Sequence, residues 1–117
     1  RLSPGEQQRL SFARLINFGK VQQVFLDEAT SALDTTSEGK LYALLPSLCS
    51  VFVSVGHRDT LVKYHSHILL LHGEGLEGAW EILRREEYLQ RLSAEHVEKA
   101  VREEENLNRS MHHRKGK

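Results

Sequence analysis

The sequence predicts an α/β protein: a mostly parallel sheet flanked by helices, followed by a charged C-terminal helix. Three observations carry this expectation. Short apolar runs, Val24-Phe25-Leu26, Val51 to Val55 and Ile68 to Leu71, have the length and β-branched content of buried strands. Amphipathic helical segments alternate with them, as expected of a parallel sheet covered on both faces. From about Arg84 onward the composition turns to charged residues at helical spacing.

The elements can be taken in order. Ser3-Pro4-Gly5-Glu6 has the chemistry of a helix start: Ser3 can cap, Pro4 suits the first helical position, and Glu6 completes a capping box. Leu10, Ala13, Leu15 and Ile16 fall on one face of that helix, and Gly19 is a stop signal. Val24-Phe25-Leu26 then runs into Asp27-Glu28. Asp34 can cap a second helix with Leu41, Leu44, Leu45 and Leu48 on its apolar face, which Pro46 should end or distort near Leu45. The strand from Val51 to Val55 delivers Gly56-His57-Arg58 at its C-terminal end. A short helix from about Thr60 to Tyr64 precedes the third strand. Gly73, Gly75 and Gly78 mark turns, and Trp80 to Leu83 adds an edge strand with Trp80 in the core.

The long charged helix should run through about Asn106, with Leu89, Leu92, Val97 and Val101 in a narrow stripe. That stripe fits a helix packing on its own domain, or a coiled-coil contact with a partner chain. Residues 1–83 are thus expected to form one partial domain, 84–109 the charged helix and 110–117 a disordered basic tail.

With 117 residues, the chain can build one small domain with a modest core. Lys plus Arg equals Asp plus Glu, 16 against 16, so no charge excess points to nucleic acid. A single cysteine, Cys49, allows no internal disulfide framework, and no apolar stretch reaches the roughly 18 residues needed to span a bilayer. His65, His67 and His72 lack the carboxylate or thiol that would complete a metal set. The chain opens at Arg1 directly on a motif, which suggests a fragment.

Two neighbouring carboxylates at a strand end, Asp27 and Glu28, point to different sides and can do different work. One can hold Mg²⁺ through water while the other polarises a nucleophilic water. Two solvent-facing charges would look the same. His57 ends a neighbouring strand, so in a parallel sheet it reaches the same edge, where ligands of open α/β sheets gather. There an imidazole can contact a terminal phosphate, although a lone strand-end histidine is more often structural. The helix start at Ser3 offers free N–H groups to a phosphate, or is simply well capped.

The motifs together resemble those of the ABC transporter ATPase family. Leu2-Ser3-Pro4-Gly5-Glu6-Gln7-Gln8-Arg9-Leu10 resembles the signature motif, and Val24 to Glu28 the Walker B strand with its catalytic glutamate. Ser31-Ala32-Leu33-Asp34 resembles the D-loop, and Val55-Gly56-His57-Arg58 the switch-histidine segment. All four stand in family order and cover roughly Arg1 to Leu83. The resemblance implies the C-terminal half of a P-loop ATPase domain. It implies ATP and Mg²⁺ as cofactors, with Asp27 coordinating Mg²⁺ through water, Glu28 as general base and His57 on the γ-phosphate. It also implies a second ATPase domain facing this one head to tail, so that Ser3, Gly5 and Glu6 bind the nucleotide held by the partner and Asp34 couples the two sites. The transmembrane domain of a parent transporter is the other implied partner.

Pro4 replaces the signature's first glycine and Glu6 its closing glutamine. Pro4 removes one backbone donor, leaving the phosphate contact to Ser3 and the Gly5 amide. This variant, with Ser54 to Arg58 and Lys63 to His67, is similar to subfamily D, the peroxisomal acyl-CoA transporters and their lysosomal cobalamin relative. The signature and the stretch from Gly73 to Glu81 lean toward the cobalamin branch. A place on the cytosolic face of a lysosomal or peroxisomal membrane follows from that resemblance, or a bacterial inner membrane from similar bacterial signatures. No Gly-x-x-x-x-Gly-Lys-Ser/Thr loop occurs in the sequence, so the chain alone is expected neither to hold ATP tightly nor to hydrolyse it. Missing neighbouring strands should leave apolar sheet surface exposed.

Overall fold

A computed structural model describes residues 1–73 and 78–114. The chain divides into two units, Arg1–Tyr64 and His65–Lys117. The expected domain over 1–83 therefore spans the first unit and the strands of the second.

The first unit begins with α1 (Pro4–Phe18). Its capping box is formed as the sequence predicts. Glu6 N donates to Ser3 Oγ at 3.2 Å, and Ser3 N donates to Glu6 Oε2 at 2.9 Å. Gly19 closes the helix with φ of 96°, a conformation that favours glycine. The buried face differs from the expected one. Leu10 and Ile16 are exposed, while Phe12 is buried and Leu15 packs beside it. Gly5, Gln8, Phe12 and Leu15 share that inner face; a polar Gln8 hid it from a purely hydrophobic reading.

Strand β1 (Val21–Asp27) pairs in parallel with β2 (Cys49–Val55), from Val21 opposite Cys49 to Asp27 opposite Val55. Parallel neighbours need a crossover, and α2 (Thr35–Leu48) supplies it. The helix runs through Pro46 to Leu48 instead of ending near Leu45. Proline costs only one N–H donor there, in the last turn. Its buried residues are Glu38, Tyr42 and Leu45, whereas Leu44 is exposed. Leu45 has no exposed surface, and its burial contributes about 2–3 kcal/mol.

Phe12, Leu26, Tyr42, Leu45 and Cys49 form the core between α1, the two strands and α2. Tyr42 stacks on Tyr64 at 5.0 Å and meets Phe52 edge-on at 6.2 Å. Its hydroxyl donates to Ser54 Oγ at 2.9 Å, so the buried ring keeps its polar end satisfied. The opposite sheet face is open: Phe25 is 75% exposed, beside the exposed Val51, Val53 and Val55. The strands expected to be buried are thus covered on one face only, which matches the expectation of uncovered apolar sheet. A 3₁₀ turn (Asp59–Tyr64) ends the unit.

Asp34 is the N-cap of α2. Ser37 Oγ donates to Asp34 Oδ1 at 2.6 Å and Ser37 N to Oδ2 at 3.1 Å. These two bonds, side chain first, hold the Asp34 carboxyl below its ordinary value of 3.8. A depressed carboxylate stabilises the fold fully above the ordinary value, and that stabilisation is lost as pH falls through the lower folded value. Asp34→Asn should therefore flatten the acid limb of the stability–pH curve, measured by denaturant unfolding between about pH 2 and 5.

The second unit holds β3 (His67–Leu71), β4 (Trp80–Arg84) and α3 (Arg85–Arg114). The two strands pair antiparallel, from His67 opposite Arg84 to Leu71 opposite Trp80. They form their own two-stranded sheet instead of extending the parallel one. The connection between Leu71 and Trp80 is too short for a parallel crossover, which takes a dozen or more residues, but it suffices for a hairpin. Gly78 lies in it with φ of 82°, and His72 N donates to Ala79 O at 2.9 Å. Gly75, expected in this turn, lies outside the described residues. Trp80, expected in the core, is 61% exposed, on the same face as Leu69, Leu71 and Ile82.

Helix α3 continues past Asn106 to Arg114, so residues 110–114 are helical and not a disordered tail. Good helix formers and the Glu98–Arg102 and Glu87–Arg91 pairs support it. Glu81 accepts from Arg91 at 2.8 Å, tying β4 to α3. That contact, above all, keeps the Glu81 carboxyl below its usual range. Among the described residues no helix is long and apolar enough to cross a membrane.

Candidate functional site

The site lies in the first unit, at the C-terminal edge of the parallel strands. Asp27 is the last residue of β1 and its side chain is exposed. Glu28 steps off the strand with φ of 49°, a left-handed backbone that costs a non-glycine residue about 1–2 kcal/mol. This turn, more than strand alternation, separates the two neighbouring carboxylates.

The turn at Glu28 sets its side chain against His57, with His57 Nε2 3.0 Å from Glu28 Oε1. The parallel register makes the meeting possible, because Glu28 N donates to Val55 O at 2.9 Å and His57 follows two residues later. The His57 ring is 91% exposed, open to a ligand. A cavity of about 210 Å³ at this edge is lined by Glu28, Thr30, Glu38, Gly56, His57 and Arg58. A second cavity of about 380 Å³, between α1 and β1, shares Glu28 and adds Gln8, Phe25 and Asp27.

The loop after Glu28 is held by side chains that sequence reasoning did not single out. Gln8 Nε2 donates to Glu28 O at 3.0 Å and to Ser31 Oγ at 2.9 Å, while Ala32 N donates to Gln8 Oε1 at 2.9 Å. Arg58 donates to Ser31 O and to Leu33 O, both at 2.7 Å. Glu38, 1% exposed, accepts from Thr30 Oγ1 at 2.7 Å, Thr60 Oγ1 at 2.8 Å and Arg58 at 3.4 Å. These bonds join residues 20 or more apart in several cases, so no local pattern announces them.

Of the residues singled out from sequence, Glu28 and His57 are brought together. Ser3 and Glu6 satisfy each other in the capping box. Gly5 lies against the loop: a Cβ there would sit 3.2 Å from Ala32 O and 3.6 Å from Leu33 Cδ2, which explains the glycine. Asp34 caps α2 at the end of that loop. Asp27 stands alone as a candidate ligand, since no group of three metal-ligating side chains occurs among the described residues. One exposed carboxylate suits a water-mediated contact with an ion held mainly by its nucleotide, not a closed metal site.

A strand end carrying Asp27 and Glu28, a histidine from the parallel neighbour and a capped helix bound to the following loop stand together at one sheet edge, the arrangement that the resemblance to ABC-type ATP-binding domains implies. The curated proteins similar to this chain are of that kind. The lysosomal cobalamin transporter ABCD4 of Mus musculus is 52% identical over 83 residues, covering 71% of this chain and 13% of that protein. ABC transporter D family member 2 of Arabidopsis thaliana, a chloroplastic protein, is 50% identical over 68 residues, covering 58% of this chain and 10% of that protein. An uncharacterized ABC transporter ATP-binding protein of Synechocystis is 46% identical over 81 residues, 69% of this chain and 12% of that protein. No family model matches the chain. By these similarities the chain belongs to the D family of ABC transporters. It spans about 13% of the length of the mouse relative.

Proposed function

We propose that the chain is part of the ATP-hydrolysing motor of a D-family ABC transporter. The observation that carries this reading is the Glu28–His57 pair at 3.0 Å, at the mouth of a cavity beside the exposed Asp27. In this reading Glu28 takes the proton of the attacking water, and His57 donates to a γ-phosphate oxygen and orients that water. Asp27 would hold Mg²⁺ through water, and the ion, when bound, would supply positive charge to offset that of the nucleotide phosphates. Ser3, Gly5 and Glu6 present the N-terminus of α1 to a nucleotide bound by a second ATPase domain, and Asp34 couples the two sites. The Ser3–Glu6 cap fixes where α1 begins, and the positive end of the helix dipole lies there.

The cargo is cobalamin or a fatty acyl-CoA, and the similarity to a protein named for lysosomal cobalamin transport favours the former. The motor then sits on the cytosolic face of a lysosomal or peroxisomal membrane, joined to transmembrane helices. ATP hydrolysis assayed on the 117-residue chain alone and on an intact subunit containing it tests the reading. We expect Mg²⁺-dependent turnover in the intact subunit only. An intact subunit without turnover would leave the chain a non-catalytic partner, and turnover by the chain alone would show that it binds nucleotide without a phosphate-cradling loop.

A further inference from the structure

We propose that Gln8 is a positioning residue for Glu28, holding the general base in its left-handed backbone and tying it to the N-terminal helix. The inference rests on the reading of Glu28 as base given above. A strained residue keeps its conformation only when its surroundings over-determine it. At Glu28 (φ 49°) the restraints can be named. The N–H is fixed on Val55 O at 2.9 Å, and the carbonyl receives Ser31 N at 3.2 Å and Gln8 Nε2 at 3.0 Å. Gln8 supplies the only side-chain donor among these.

The Gln8 amide is engaged at both its nitrogen and its oxygen. Both its N–H bonds are used, on Glu28 O and Ser31 Oγ, and its oxygen accepts Ala32 N. It bridges both ends of the turn from 28 to 32, so the turn cannot open or slide without breaking bonds at Gln8. The group is partly buried and stands one helical turn beyond the Ser3 cap, on the same face as Gly5. Gly5 itself lies against Ala32. A displacement of the α1 N-terminus is therefore transmitted to the Glu28 carbonyl through one side chain and a rigid helical turn. The Glu28 carboxylate, 3.0 Å from His57, is carried on that same backbone, so such a displacement changes its placement against the histidine. Gln8 touches no reacting atom in this scheme; it sets where the base stands.

The test uses the intact ATPase subunit. Gln8→Met keeps length and apolar volume but removes all three hydrogen bonds. Gln8→Asn keeps the amide on a stem too short to reach, and serves if the methionine variant fails to fold. We expect kcat for ATP hydrolysis to fall about 10- to 100-fold, with KM for ATP changed less than about twofold. Amide exchange in the peptide covering residues 28–34 should quicken while the rest of the domain exchanges as before. Gln8→Glu keeps the acceptor for Ala32 N but sets an anion against the Glu28 carbonyl, and should fall at least as far. Wild-type kcat and wild-type exchange in the methionine and asparagine variants would overturn the proposal. Glu28→Gln is the control: if it abolishes turnover while Gln8→Met does not, the clamp fails and the base stands. If Glu28→Gln leaves turnover intact, both fall.

Discussion

Glu28→Gln in an intact subunit is expected to lower ATP hydrolysis by about 10²–10⁴-fold, the usual contribution of a positioned general base. The substitution keeps shape and one hydrogen-bond acceptor for His57, so the 3.0 Å contact can persist without the charge. Glu28 is also outside the core, and its removal disturbs no buried apolar surface. Nucleotide binding should therefore survive. The measurement pairs steady-state phosphate release with equilibrium binding of ATP and Mg²⁺. Parallel losses of binding and turnover would mean that Glu28 holds the nucleotide instead of activating water.

The largest effect on stability is expected at Glu38. Its carboxylate is almost wholly buried and joins Thr30, Thr60 and Arg58. Glu38→Ala removes an acceptor from all three and leaves a hole beside Tyr42 and Leu45 on α2. Buried groups stripped of a charged partner cost several kcal/mol, but Arg58 is about one-third exposed and recovers water. A loss of about 2–3 kcal/mol follows, read from chemical denaturation of the protein. Glu38→Gln, which can still accept from one threonine, should cost about half as much. Equal stability of wild type and Glu38→Ala would show that the buried carboxylate is neutral in its net contribution.

Local chemistry was legible in the sequence. The capping box at Ser3, the cap at Asp34, the stop at Gly19 and the ends of both parallel strands depend on residues a few positions apart, and the structure has all of them. The partnership of Glu28 with His57 was legible as two strand ends on one edge, without its distance. What escaped depends on distant parts of the chain. Leu10 and Ile16 have amphipathic spacing, yet α1 buries Phe12 and turns Gln8 inward, because the loop from Glu28 to Ala32 offers polar groups that only glutamine satisfies. Glu38 and Arg58 carry no local signal of their partnership, which arises only where α2 and the His57 loop meet at Thr30. The antiparallel pairing of β3 with β4 was not read from the sequence, because Ile68 to Leu71 has the composition of a buried central strand. Only the short connection through Gly78 reveals an antiparallel partner.

The left-handed backbone at Glu28 has a consequence for how such a sequence drifts and is engineered. A Cβ crowds the following carbonyl in that conformation, which glycine adopts freely and asparagine more readily than most because its short amide bonds to the local backbone. Any search that rewards folding alone, whether directed evolution for expression or consensus repair, will favour Glu28→Gly or Glu28→Asn and silence the chemistry as it improves the yield. If Glu28 is the base proposed above, Glu28→Gly should fold at least as well as the wild type and turn over no ATP in an intact subunit.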